Sequence, residues 1–228
     1  MPDRRRVYRW DPYDTDEGNL EFFLTYEGPL KSMRPDGARV YRRAHHVHDI
    51  RRVFHRQLKA LWEKHPTFQK LTDYARRKGR ERETLGLLDR DGFTWQPMVS
   101  ETSGVVCRVD ILMLREGQPG SVVYDIDNRV KTLFDALRMP LNPAELGAGS
   151  DPGQRTPQIG ETPFFVLLEQ DSLITHLAVT SETLLDPVPF IEQDGKQVPV
   201  PRDEAVRLFI KVNTRAYDVT LENLHHAG

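Results

Sequence analysis

The sequence predicts a chain of mixed α and β structure, on three observations. Residues 20–26 (LEFFLTY), 105–114 (VVCRVDILML) and 206–212 (VRLFIKV) are rich in β-branched and aromatic residues, and the second alternates with strand period. Residues 46–65 carry Ile50, Val53, Phe54, Gln57, Leu58, Leu61 and Trp62 as one helical stripe. Val130, Leu133, Phe134 and Leu137 recur at i, i+3, i+4 and i+7, the mark of a second amphipathic helix.

Composition sets the bounds. At 228 residues, 38% hydrophobic and 29% charged, the chain suits one globular domain, or one enlarged by insertions. No apolar run reaches a membrane span and residues 1–18 hold no apolar signal core, so no membrane partner and a cytoplasmic location are expected. The single cysteine, Cys107, excludes an internal disulfide and a thiolate zinc cage; in its strand it reads as a core residue. The net charge of −2 hides an asymmetry: residues 1–90 hold 21 of the 32 Lys and Arg but 14 of the 34 Asp and Glu. A basic half beside an acidic one suits cations for phosphate and carboxylates for metal.

Residues 1–18 are polar, opening with Arg4, Arg5 and Arg6, and form an N-terminal extension. The first strand runs into the turn signal Gly28-Pro29, and Lys31 and Arg34 flank the loop beyond it. On the first helix His48, Arg52 and Arg56 follow one another by a turn, a basic face for phosphate. The histidines nearby have no acidic or cysteine ligand at zinc spacing beside them. Pro66 stops that helix. Phe68, Leu71 and Tyr74 suggest another, ending at Gly79, and Arg76, Arg77 and Lys78 offer a DNA track. In the strand over 105–114, Val105, Cys107, Val109, Ile111 and Met113 face one way. Asp110 on the other face is expected to pair with Arg108. Residues 138–163, dense in Pro and Gly, form a long loop; 164–168 and 173–179 are strands, with His176 packed in the second. The tail over 218–228 is polar.

The chemistry gathers in residues 122–137, VVYDIDNRVKTLFDAL. Three residues read as the end of a buried strand, Asp125 and Asp127 follow, and the period then turns helical. Asp127 is placed to be the N-cap, with Lys131 one turn later on a non-core face. Two carboxylates and a lysine there suit a divalent metal and an anionic substrate. The structural alternative is a plain cap, with Lys131 as the i, i+4 partner of Asp127 or Asp135.

The pattern D-x-D-N-x-x-K-x-x-x-D-A-L resembles the signature of the RusA family of Holliday-junction resolvases. Residues 167–174, LLEQDSLI, resemble that family's second acidic block, with Gln170 in place of an aspartate and Leu173 in place of a glutamine. The resemblance implies an α+β fold, a mixed sheet of about four or five strands with two principal helices. On that plan residues 19–217 are one nuclease domain, with insertions at about 66–93 and 138–163. It also implies a homodimer that cuts four-way DNA junctions, and a Mg2+ cofactor, with Mn2+ as the alternative. Asp125, Asp127 and Asp171 would be the metal ligands with Glu169 as a further one, and Lys131 would face the scissile phosphate. Lys31, Arg34, Arg52, Arg56, Arg76, Arg77 and Lys78 are the candidate DNA contacts. The expected function is therefore a metal-dependent, structure-selective DNA endonuclease. The altered second block keeps a second reading open: a RusA-like module that binds nucleic acid or a partner without catalysis.

Overall fold

A computed structural model describes residues 20–31, 39–116, 126–146, 156–186, 190–193, 196–201 and 203–217. In chain order the elements are β1 (Leu20–Pro29), α1 (Arg39–Lys64), α2 (Pro66–Lys78), α3 (Glu81–Thr84), β2 (Leu88–Arg90), β3 (Phe93–Val99) and β4 (Val105–Arg115). Then follow α4 (Ile126–Leu137), β5 (Phe164–Leu168), β6 (Ile174–Thr183), β7 (Phe190–Gln193), β8 (Lys196–Pro199) and β9 (Ala205–Ala216). The class is α+β, as the sequence predicts.

The strands divide into a four-stranded sheet in the order β1-β9-β4-β6, a three-stranded sheet β2-β3-β5, and the hairpin β7-β8. In the larger sheet β9 pairs antiparallel with both β1 and β4, and β6 runs parallel to β4. Alternation decides its two faces. Val105, Cys107, Val109, Ile111 and Met113 are buried on one side with Phe22, Leu24 and Tyr26 of β1 and Leu208, Ile210 and Val212 of β9. Ile50, Phe54 and Leu58 of α1 and Leu133 and Leu137 of α4 cover that side. The Cys107 thiol is pushed up to about 12 by burial, which makes it an unreactive core group.

A single sheet was the expectation; in the second, only β2 lies wholly within a stretch read as an insertion, and β3 and β5 belong to the segments that follow the two insertions. Phe93 and Trp95 on β3 join Phe164 and Val166 on β5, with Met139 and Leu146, in a smaller core of their own. Helix α1 lies between the two cores, and so has two buried faces. It also begins at Arg39, seven residues before the apolar stripe suggests. Between α1 and α2 the break is local chemistry: His65 accepts from the Thr67 N–H, Pro66 takes the first helical position, and Gly79 ends α2 in the left-handed region at φ 63°.

Three side chains fasten α4. At its start the Arg129 guanidinium donates to the Leu30 carbonyl (2.9 Å) and the Asp203 carbonyl, and the Thr132 hydroxyl donates to the Lys31 carbonyl (3.1 Å). At its end the buried Arg51 guanidinium donates to the Arg138 carbonyl (3.0 Å) and the Asp135 carbonyl, satisfying acceptors that a helix C-terminus leaves open. Burial pulls Arg51 down to about 9. Helix α4 thus runs from the end of the sheet where β1 and β4 finish to the end where they start.

Candidate functional site

The first acidic block sits at the start of α4. Asp127 lies inside the first turn, since the helix already includes Ile126, so it is not the N-cap; a carboxylate there is still favoured by the helix dipole. Asp127 and Lys131 are both exposed, and among the described residues neither takes part in an ion pair. The other charged residues of the helix are spent on packing. Arg129 is buried at its start, and Asp135 accepts from Arg43 and, at 2.6 Å, from Arg138. The i, i+4 pairing proposed for Lys131 is therefore not what the helix forms. Residues 122–125, with Asp125, lie outside the described residues.

Lys31 stands at the same end. Its ammonium is 3.8 Å from Glu204, and its backbone N–H donates to His46 Nε2 at 3.2 Å. Burial, with Lys31 and Arg43 close by, lowers His46 to about 4, so the ring is neutral and able to accept.

The second block follows β5. The Glu169 N–H donates to the Val99 carbonyl (2.9 Å), its carboxylate accepts from the Glu101 N–H (3.0 Å), and Gln170 donates to the Glu101 carboxylate. Asp171 is exposed and opens a 3-10 turn over Asp171–Leu173 that leads into β6. Glu169 is thus occupied in holding a turn, a structural duty that the metal-ligand expectation did not include.

Among the described residues, the two blocks, represented by Asp127 and by Glu169 and Asp171, are not brought together within one chain. β5 ends beside the last turn of α4, where the Met139 N–H donates to the Leu168 carbonyl at 2.9 Å. From Asp127 to Arg138 the helix rises about 16 Å. The sheet says the same. Ile174, just past Asp171, pairs with Cys107 near the start of β4, whereas Arg129, just past Asp127, bonds to Leu30 and Asp203 beyond the other end. From Cys107 to Arg115 the strand spans about 26 Å. Among the described residues no three His, Cys, Asp or Glu side chains are grouped to hold a metal ion. The expected set of Asp127, Asp171 and Glu169 around one ion does not fit a single chain, because β6 runs parallel to β4 and so begins at the end opposite to the start of α4.

The candidate DNA contacts also divide. Arg52 is a correction: it is buried, with Nε 2.8 Å from Glu161 Oε1, and His48 beside it is wholly buried, so two of the three residues of the expected basic face of α1 pack inward. Arg56 is exposed, and Arg76, Arg77 and Lys78 are exposed in the last turn of α2. Arg34 lies outside the described residues. Asp110 pairs with His176 at 3.4 Å instead of Arg108, and His176 is exposed, not packed.

Sequence reasoning missed the polar layer between α1 and α4. Arg51, His48, Asp135, Arg138 and Glu145 are linked by hydrogen bonds and ion pairs there. A cleft of about 230 Å3 opens beside it, lined in part by Arg43, Asp135, Asn142 and Glu145. The signal was present only as charges at helical spacing, which solvated faces share.

No protein-family model, curated protein or solved structure matches this chain.

Proposed function

We propose that the chain is a RusA-like, Mg2+-dependent, structure-selective DNA endonuclease that works as a homodimer. One observation carries the reading: of the charged residues on α4, Asp127 and Lys131 are the ones left exposed and, among the described residues, out of ion pairs, whereas Asp135, the motif's last aspartate, is held by Arg43 and Arg138. Arg129, Asp135 and Arg138 hold the fold, while Asp127 and Lys131 have no such task among the described residues. A carboxylate and an ammonium one turn apart at a helix start suit a phosphodiester, the ammonium countering charge that develops on the phosphate.

The separation of Asp127 from Asp171 adds a condition. A hydrolytic site that uses both blocks needs them from two copies of the chain, which agrees with a dimer acting on a two-fold symmetric junction. The same separation favours a second reading, in which the protein binds branched DNA through its exposed cations and does not cut it.

Cleavage of a labelled four-way junction, with linear duplex as control and with Mg2+ or EDTA, separates the two. The nuclease reading predicts metal-dependent nicks in the junction alone, lost in Asp127→Asn and reduced in Lys131→Ala. Junction binding without nicks under any metal condition would leave the binding module.

A further inference from the structure

Helices α1 and α4 cover one face of the larger sheet, and the opposite face stays open among the described residues. Alternation sends Phe23, Phe209 and Leu112 to that open face, where they are 60%, 40% and 37% exposed. The register makes them neighbours. Phe209 on β9 stands between Thr25 on β1 and Leu112 on β4, and Phe23 is one diagonal step away, beside Lys211. Diagonal neighbours of this kind lie about 7–8 Å apart. Phenylalanine is a residue that folding normally hides, so two rings left side by side in solvent ask for an occupant.

The charges around the rings are sorted too. Lys211 holds Glu21 at 2.9 Å, Arg207 holds Glu27, and Asp110 pairs with His176. Arg108 is diagonal to Lys211 and level with Asn213 and His176. It is exposed and enters no ion pair among the described residues. At that end of the face Arg108, Lys211 and Arg215 stand against the carboxylates of Glu21 and Asp110, so cations are in surplus. The residues between are polar, Thr25, Thr180 and Asn213 among them. The apolar part is thus little more than two rings and one leucine, too small for the core of a protein interface.

We propose that this open face is a stacking platform for single-stranded nucleic acid, with unpaired bases lying on Phe23 and Phe209 and Arg108 on a phosphate of the same strand. An aromatic ring offers its face to any base, and a cation beside it meets the backbone. Two rings one diagonal step apart suit neighbouring nucleotides of an extended strand. Bases in a duplex are already stacked on one another and have no face to give, so the ligand is the unpaired strand. The platform lies on the side of the sheet away from α4. It therefore makes no use of Asp127 or Lys131 and is independent of whether the chain cuts DNA.

The test is fluorescence anisotropy of labelled single strands of about twelve thymidines or uridines, titrated with the full chain in EDTA. It reads binding and not cleavage, so its failure is distinct from failure of the nuclease reading. Wild type should bind at least one of the two strands. Phe23→Leu and Phe209→Leu keep an apolar side chain and lose the ring; each should weaken binding by about tenfold or more with an unchanged circular dichroism spectrum. Phe209→Tyr, which keeps the ring, should bind as wild type does. Arg108→Gln should lower the slope of log affinity against log salt by about 0.7, the share of one phosphate on a single strand. No binding of either strand at low salt would overturn the proposal. So would binding that both leucine variants leave unchanged, since cations elsewhere on the chain would then hold the strand.

Discussion

Arg52 on α1 and Glu161, just ahead of β5, form a buried ion pair with Nε 2.8 Å from Oε1. The Glu161 carboxylate also accepts from the Gln158 N–H at 2.8 Å, so one side chain ties the segment before β5 to the central helix. Removing one partner leaves a buried charge without its complement. Glu161→Gln should therefore lower stability by about 3 kcal/mol in chemical denaturation. Replacing both residues with apolar ones, Arg52→Met with Glu161→Leu, should cost much less than either alone.

Helix α4 makes a sharper distinction between structure and function. Asp135 bonds Arg43 and Arg138, whereas Asp127 and Lys131 are exposed. Asp135→Asn should cost about 2 kcal/mol, the scale of hydrogen bonds to charged groups. Asp127→Asn and Lys131→Ala should each change stability by less than about 0.5 kcal/mol while impairing action on junction DNA. Melting curves beside cleavage or binding assays on the same preparations check the contrast.

Three histidines, His48 and His55 buried and His46 half-buried, tie stability to pH. Burial lowers His46 to about 4 and His48 to about 2, and it lowers His55 as well. Below the ordinary histidine value of about 6.5 the unfolded chain takes up protons that the folded chain refuses. Stability is then full above about pH 6.5 and falls as pH drops toward 4, by up to about 1.4 kcal/mol per pH unit for each histidine. Denaturation midpoints between pH 7 and pH 4.5 should fall steadily, and less steeply in His55→Gln. A flat profile would mean that these rings stay accessible to protons.

Gly79 closes α2 at φ 63° and ψ 26°, and nothing lies within 4 Å of where a Cβ would stand. Gly79→Ala therefore meets no clash, only the left-handed backbone cost of about 1 kcal/mol. The expected readout is a small loss of stability, with the junction binding proposed for Arg76, Arg77 and Lys78 unchanged.

Much of the fold was legible because strand and helix periods are written locally. The alternation from Val105 to Met113 gives the buried face of β4, and the stripe from Val130 to Leu137 gives the core side of α4. What escaped is what depends on two elements at once. His48 and Arg52 read as part of a polar helix face, yet Phe93 and Phe164 of the second sheet pack against His48, and Glu161, just ahead of β5, pairs with Arg52. A single-period pattern shows one buried face and has no way to announce another. Asp127 and Asp171 were legible as acidic positions beside turns. Their distance was not, because it follows from β6 running parallel to β4, a matter of topology that no spacing along the chain records.

That distance makes the most direct test one of complementation. Asp127→Asn and Asp171→Asn chains would be purified separately and co-assembled, and nicking of a four-way junction in Mg2+ would be compared with each variant alone. If the two acidic blocks meet across two copies, each variant alone is inactive. A mixed dimer then keeps one intact site, so random mixing should restore roughly a quarter of the sites. Recovery would establish a metal-dependent nuclease whose site is shared between chains. Wild-type cleavage with no recovery on mixing, or no cleavage by wild type at all, would contradict that account.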